Sequence, residues 1–483
     1  MKIEQIYTGC LAQGAYYIES EGEAVIIDPL RETAPYMEQL EQSGATLKYI
    51  FETHFHADFV SGHLDLARKT GATIVFGPTA KTDYEIHIAE DGEEMKLGNI
   101  SFKVLHTPGH TMESTTFLLK DEQGKDYAIF TGDTLFLGDV GRPDLAIKQG
   151  KITKEDLAGM LYDSLRNKIM PLADDVIVYP AHGAGSACGK NLSNETWGYL
   201  GEQKQTNYAL RADMTKEEFV EEVTAGLTPP PQYFAKNAMM NKLGYGSFDE
   251  VLAKGAIPLN AEQFEAIAEQ TEALVLDVRH EDDFVNGFIP KSIFIGLDGS
   301  FAHWVGALIT DIKQPILLVV PEGRAEEAVT RLARVGYDNA LGYLEGGMEA
   351  WKAAGKQVDY LASISAEALA EQLRTNEGVQ VLDVRKPAEF LSQHLESAAN
   401  FPLDYINRNM DRLSRQHSYY LHCAGGYRSV IAGSILKARG YEELINIAGG
   451  WRAIEQTEAA KTDYACPSSM PQSVIDAAVE ASL

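Results

Sequence analysis

The chain has 483 residues, more than one hydrophobic core can serve, so its length predicts about three domains of roughly 150 residues each. Hydrophobic and charged contents of 45% and 23% place it among ordinary soluble globular proteins. A formal net charge of −28 argues against nucleic acid as a partner, because that affinity comes from neutralising phosphates, and no apolar run is long enough to span a membrane.

The first residues, 1–7, lack the apolar core of a signal peptide, and nothing hydrophobic precedes Thr8-Gly9-Cys10 to suggest a lipid anchor. Four cysteines, Cys10, Cys188, Cys423 and Cys466, are too few and too scattered for a disulfide framework, so a reducing cytoplasm is expected. Residues 14–19 and 23–29 read as a hairpin about a Gly-containing turn. An amphipathic helix is expected at 34–43, and a buried apolar strand at 47–51.

That strand runs into Thr53-His54-Phe55-His56-Ala57-Asp58-Phe59-Val60-Ser61-Gly62-His63, which crowds three imidazoles and a carboxylate at a strand end. His and Asp together suit a transition metal, and His-x-His sends both side chains the same way if strand geometry persists. A second helix is expected at 61–70. Three later segments repeat the pattern of an apolar strand ending in a Gly- or Pro-rich turn with one ligand-type residue. These are His110 after 100–104, Asp133 after 127–130, and His182 after 175–178. The recurrence outweighs any single match. Strands and helices are expected to alternate to about residue 185, as sheets covered by helices.

These residues resemble the metallo-β-lactamase fold, with its His-x-His-x-Asp-His motif and later His, Asp and His. Phe59 stands where the dinuclear zinc hydrolases of that superfamily have a His for the second metal, so the resemblance implies one metal. It is similar to the persulfide dioxygenase branch, which implies one Fe(II) per chain held by His54, His110 and Asp133, with three adjacent coordination positions open. His56, Asp58 and His182 would stand behind those ligands or on the substrate side, with Tyr179 beside them; spacing alone leaves His56 open as a ligand. The segment 138–144 resembles the same branch and makes Arg142 a candidate for gripping a substrate carboxylate, against the plainer reading of a surface ion pair. The small residues of 183–190 let a ligand approach the backbone. Cys188 within them either faces the metal pocket and handles sulfur or is a buried inert thiol.

A helix is expected at 215–224, then a stiff extended element at Thr228-Pro229-Pro230-Pro231-Gln232-Tyr233, packed against the body. The first domain is expected to end there, at 1–250. The remainder holds an internal repeat. Leu274-Val275-Leu276-Asp277-Val278-Arg279 matches Val381-Leu382-Asp383-Val384-Arg385, Phe284 and Phe390 follow at equal distance, and Gly346-Gly347 with Trp351 answers Gly449-Gly450-Trp451. Each copy, at 251–360 and 361–483, reads as alternating strand and helix on a parallel sheet. The marks resemble rhodanese domains.

The copies differ where chemistry would occur. In the second, strand 419–422 feeds Cys423-Ala424-Gly425-Gly426-Tyr427-Arg428-Ser429 and then a helix to about 439. A thiol facing a helix N-terminus, among converging backbone N–H groups, has the ingredients of a stabilised thiolate. Arg428 adds a charge for sulfite or thiosulfate oxygens. The loop matches the rhodanese Cys-x-x-Gly-x-Arg-Ser pattern, with Cys423 in the nucleophile's place. In the first copy the strand 315–320 runs into Pro321-Glu322-Gly323-Arg324. Counting back from Gly336 against Gly440 makes that loop two residues shorter, so the copy should fold as a structural or docking module without sulfur transfer. The tail, 458–483, carries Cys466-Pro467-Ser468-Ser469 and a short helix at 472–481.

The overall order resembles bacterial persulfide dioxygenase–rhodanese fusions. It implies an α/β architecture: an αββα sandwich, then two rhodanese-like domains with parallel sheets. It implies oxidation of a low-molecular-weight thiol persulfide by O2 to sulfite, coupled to sulfur transfer that gives or uses thiosulfate, in a homo-oligomer. The alternative is a zinc-dependent thioester hydrolase resembling hydroxyacylglutathione hydrolase, with the rhodanese domains as sulfur-binding modules.

Overall fold

Strands buried on both faces build the N-terminal part. In β2 (Gln13–Ser20), Tyr16 and Ile18 point to one side and Ala15 and Tyr17 to the other, and all four are buried. The computed structural model describes residues 1–147, 151–190, 192–227, 229–376, 378–466, 470 and 472–482. It divides into two compact units, Met1–Glu250 with Ala333–Gly336, and Val251–Leu332 with Tyr337–Leu483. No helix among the described residues is long and apolar enough to cross a membrane.

In the first unit, β1 (Lys2–Thr8), β2, β3 (Glu23–Ile27), β4 (Thr46–Glu52), β5 (Thr73–Phe76) and β6 (His87–Ile88) form one sheet in that order. A second sheet runs β12 (Gly198–Tyr199), β11 (Ile177–Pro180), β10 (Asp126–Gly132), β9 (Thr115–Lys120), β8 (Ile100–His106) and β7 (Glu94–Leu97). Between them lie Tyr16, Val25, Phe51 and Val75 of one sheet against Phe102, Val104, Phe117 and Phe130 of the other. Phe51 stacks on Phe117 with ring centroids 4.4 Å apart. Each such side chain removed from water is worth about 1.5–3 kcal/mol, which makes this layer the main support of the strand ends above it. Helices Ala34–Ser43 and His63–Thr70 cover the outer face of the first sheet; Lys154–Ser164 and Lys216–Thr224 cover that of the second.

The αββα sandwich is therefore present, but strict alternation is not. From Thr73 to Gly132 the order is six strands without an α-helix. The reason is local: β7–β8, β8–β9 and β9–β10 pair antiparallel, so short turns join them and no crossover helix is needed. The helix expected from residue 61 starts at His63, because Ser61 is committed to Pro29 O and Glu52 Oε1. Thr228 of the proline-rich stretch lies outside the described residues. Pro229 and Pro230 are exposed, and the packing there is made by buried Tyr233 and Phe234.

The second unit holds the repeat as two five-stranded sheets. The first runs β13 (Pro258–Leu259), β17 (Ala340–Leu344), β16 (Ile316–Val319), β14 (Leu274–Asp277), β15 (Ile293–Phe294). The second runs β18 (Ala362–Ile364), β22 (Leu444–Ile447), β21 (Tyr419–His422), β19 (Gln380–Asp383), β20 (Ala398–Asn400). All their pairings are parallel. The repeated Asp-Val-Arg has a mechanical explanation. Arg279 and Arg385 fold back bidentately on buried Asp277 and Asp383, with closest contacts of 2.6 and 2.5 Å. Each also donates to a carbonyl eight residues on, Gly287 or Gln393, tying strand to loop. Beyond Cys466, Pro467–Ser469 lie outside the described residues, and a helix follows at Gln472–Ser482.

Candidate metal centre and sulfur-transfer loop

Four strands of the sandwich deliver ligand-type side chains just past their C-terminal ends: β4 to His54, His56 and Asp58, β8 to His110, β10 to Asp133, and β11 to His182. Ligand atoms of His54, His110 and Asp133 all lie within 4.8 Å of one another. His54 Nε2 is 3.9 Å and His110 Nε2 3.4 Å from Asp133 Oδ2, with all three residues buried. No N–H or O–H group among the described residues donates to either Asp133 oxygen. A buried carboxylate left in that state costs several kcal/mol unless a cation compensates it. Two imidazole nitrogens and one carboxylate are donors that suit a divalent transition metal, so the residues fit such a group.

The far nitrogens of both imidazoles are fixed by residues that the sequence did not single out. Thr53 N–H and Oγ1–H donate to the two oxygens of Asp28, each at 2.8 Å. With its one hydrogen spent, Thr53 Oγ1 accepts from His54 Nδ1–H at 3.0 Å, which leaves His54 Nε2 as a lone-pair donor. His110 Nδ1–H donates to Arg142 O at 2.8 Å, with the same consequence. Burial, with His56, His110 and His182 nearby, pushes His54 well below its ordinary pKa and keeps it neutral. Two glycines make these approaches feasible. A Cβ on Gly132, at φ +53°, would meet Thr53 Oγ1 at 2.4 Å, and one on Gly141 would meet Asp133 O at 2.0 Å.

His56, Asp58 and His182 form a second buried group within 4.8 Å. His182 Nε2 lies 3.3 Å from Asp58 Oδ2 and 3.6 Å from Asp133 Oδ1. His56 Nε2 stands 3.1 Å from Asp28 Oδ1 and 3.6 Å from Glu52 Oε2, and the ring of Phe59 stacks on it at 4.3 Å. Burial opposes charge on His56, but Asp28, Glu52 and Asp58 outweigh it and raise the pKa to about 9. His63 is held apart by Glu52 Oε1 at 3.3 Å and Tyr84 OH at 2.8 Å. Asp28 and Glu52 carry the same strand-end carboxylate pattern as Asp133, which was the cue available for finding them.

Cys188 joins the cluster: its sulfur lies within 4.8 Å of ligand atoms of Asp133 and His182. Burial, then the carboxylates of Asp133 and Asp58, raise its pKa far above the ordinary value, so it is a thiol. Of the two readings of Arg142 the structure shows the ion pair: it is bound bidentately to Asp144 at 2.7 and 2.8 Å and donates to Ala187 O at 3.3 Å, and its backbone carbonyl lies under His110. One expectation needs correction. Tyr179 stands away from the cluster. It stacks on Phe130 at 5.2 Å between the sheets, because alternation along β11 turns residues 177 and 179 inward.

In the second unit, Cys423 is buried at the end of β21, and Gly426 N–H donates to its Sγ at 3.1 Å. Gly426 caps the twelve-residue helix Tyr427–Ala438, whose N-terminus favours negative charge on that sulfur. Arg428 is paired bidentately with Glu389 at 2.7 and 2.8 Å, which uses two of its five N–H donors, and its charge lies close enough to Cys423 to interact with the thiol.

The first copy also departs from expectation. Strand register sets Asp277 opposite Val319 and Asp383 opposite His422, so Val320, not Pro321, takes the place of Cys423. The connection 320–324 is one residue longer than 423–426 and the helix Ala325–Arg334, at ten residues against twelve, is two shorter, so one residue is missing in all. Arg324 at its start is paired with Asp298 at 2.9 Å and Glu327 at 2.6 Å.

Comparisons with known proteins agree with this geometry. The Metallo-beta-lactamase superfamily matches residues 8–182, and the Rhodanese-like domain matches 260–354 and 365–457. Mitochondrial Persulfide dioxygenase ETHE1 of Homo sapiens is 36% identical over 162 residues, covering 33% of this chain and 59% of its own length. The chain thus spans only about three fifths of that relative. Hydroxyacylglutathione hydrolase GloC of Haemophilus influenzae is 30% identical over 213 residues, 39% of this chain and 94% of its own. A crystal structure of a metallo-beta-lactamase from Staphylococcus aureus subsp. aureus COL covers 71% of this chain and 98% of its own, at 32% identity and a TM-score of 0.63.

Proposed function

The chain belongs to the metallo-beta-lactamase superfamily and carries two rhodanese-like domains behind that fold, and from this premise we propose that it oxidises a low-molecular-weight thiol persulfide with O2. Persulfide, O2 and one water give sulfite, the free thiol and two protons. Residues 1–250 carry the oxygenase, 251–360 an inactive rhodanese copy, and 361–483 the active one. The observation that carries the reading is the buried carboxylate of Asp133, met by no N–H or O–H donor among the described residues, facing His54 and His110 in one chain with the Cys423 loop. Iron(II), one per chain, suits that donor set and would supply the electrons through which O2 and sulfur become reactive.

The chain's own groups do the rest. Thr53 and the Arg142 carbonyl hold both imidazoles in one tautomer and one orientation. Phe59 covers His56 and brings no ligand to the Asp58–His182 side. The Cys188 thiol, protonated, sets sulfur beside Asp133 without adding charge. In the second unit the Cys423 thiolate attacks the sulfane sulfur of thiosulfate; its S–S bond breaks and sulfite leaves with the electron pair. An acceptor thiolate then takes the outer sulfur from the Cys423 persulfide and restores the Cys423 thiolate. Run in reverse, the same steps pass sulfur from a thiol persulfide to sulfite.

The test is O2 uptake by iron(II)-loaded protein with a defined thiol persulfide, with sulfite formed one per O2. A hydrolase reading has its own support in the His56–Asp58–His182 group and in the resemblance to GloC. Two zinc ions per chain, thioester cleavage and no O2 uptake would decide for it.

A further inference from the structure

The second unit gives its inactive rhodanese copy a direct hold on the active loop. Tyr427, between Gly426 and Arg428, donates its hydroxyl hydrogen to Gly296 O at 2.8 Å. Its ring meets Phe294 edge-on, with centroids 5.7 Å apart and planes at 73°. The turn 296–299 is shaped around that ring. A Cβ on Gly299 would fall 2.2 Å from Tyr427 Cζ, and one on Gly296 would fall 3.2 Å from Cε2. Seven residues on, and so on the same helix face, Ser434 Oγ accepts from Phe294 N–H at 2.9 Å. The helix that faces Cys423 is therefore gripped by the first copy at two points, two turns apart. A contact whose only task was to join two domains could lie anywhere on that helix. This one begins at its first residue, next to the N–H that touches Cys423 Sγ.

We propose that the inactive rhodanese copy is the positioning element of the active one: its 296–299 turn receives Tyr427, and by fixing that ring it holds Gly426 N–H on Cys423 Sγ and Arg428 beside it. Tyr427 is a positioning residue and acts through Gly426. The proposal rests on Cys423 being the sulfur-transfer nucleophile, but its deciding measurement does not need turnover.

That measurement is the pH profile of Cys423 alkylation by iodoacetamide, followed on the Cys423 peptide in the full chain. The variants are Tyr427→Phe, which keeps the ring, and Gly299→Ala, which displaces it from the other copy. Losing one N–H donor to a thiolate corresponds to roughly a ten-fold or larger loss of thiolate at a given pH. Both variants should move the alkylation midpoint upward, Gly299→Ala further, and lower kcat for thiosulfate:thiol transfer more than they raise KM. Near-UV circular dichroism and the thermal unfolding curve of the full chain, compared with wild type, report that each variant has folded. Midpoints unmoved in both folded variants overturn the proposal. Wild-type protein that alkylates normally yet transfers no sulfur would defeat the functional reading while the shift between variants still decides this one.

Discussion

Thr53→Val is the sharpest probe of the metal centre because it changes one atom's chemistry and almost no volume. Thr53 Oγ1 is the link between Asp28 Oδ2 at 2.8 Å and His54 Nδ1 at 3.0 Å. The methyl group that replaces it fits, since Gly132 opposite has no Cβ to meet it. Asp28 keeps the Thr53 N–H and the neighbouring His56. His54 Nδ1–H keeps nothing: it is stranded in a site that is 2% exposed. Leaving such a donor unmet costs about 1–3 kcal/mol, which the imidazole can avoid only by turning or by switching tautomer. Either escape moves Nε2 or fills its lone pair. Losing an outer hydrogen-bond partner of a ligand typically weakens metal binding about 10–100-fold, or roughly 1.4–2.7 kcal/mol. Chelator competition on the purified variant measures that loss, and Thr53→Ser, which keeps the hydroxyl, should restore the affinity. Thr53→Val protein that holds metal within two-fold of wild type would refute the idea that this hydroxyl orients His54.

Phe59→His puts an imidazole beside Asp58 and His182, so metal analysis should show the content rising from one ion per chain towards two; an unchanged content means another group keeps the second ion out. Cys423→Ser should abolish thiosulfate:thiol transfer and leave persulfide-dependent O2 uptake, and loss of both in folded protein would mean that sulfur reaches the metal centre only through Cys423. Val320→Cys, made in a Cys423→Ser background, places a thiol at the matching register position but should give no sulfur transfer. Pro321 beside it offers no N–H, and a persulfide trapped on the new thiol would refute that explanation.

What was legible in the chain was whatever a strand end announces. His54, His110, Asp133 and His182 each follow an apolar run and sit among small residues, so their meeting could be anticipated without knowing the sheet order. Partners brought from elsewhere in the chain could not. Thr53 meets Asp28 from 25 residues away, and Arg428 meets Glu389 from 39. His110 leans on the carbonyl of Arg142, a group every residue has, so residue type carries no trace of it. Arg142 had an ion pair among its readings and meets Asp144 two residues on, whereas nothing near Arg428 in sequence pointed to Glu389. An arginine near a pocket reads as a free cation until the carboxylate that holds it is in place. Tyr179 was misplaced because closeness to His182 in sequence counted for more than the two-residue period of β11.

The first rhodanese copy shows how counting and register can disagree. Counted back from Gly336, two residues are missing and the loop seems the natural place to lose them. Strand pairing leaves one residue missing in all, with the helix two shorter and the loop one longer, and keeps a full strand–loop–helix with valine where the thiol would be. The frame is therefore whole, with Arg279 still folded on Asp277 as Arg385 is on Asp383. Its own cradle is spoiled by Pro321 and by the ion pairs of Arg324. What the copy does present, the glycine turn at 296–299, faces outward to Tyr427. A domain with valine where its neighbour has the thiol, and with a fitted receptor for that neighbour's loop, has on this proposal a task that needs no sulfur chemistry of its own, and that task requires the intact frame.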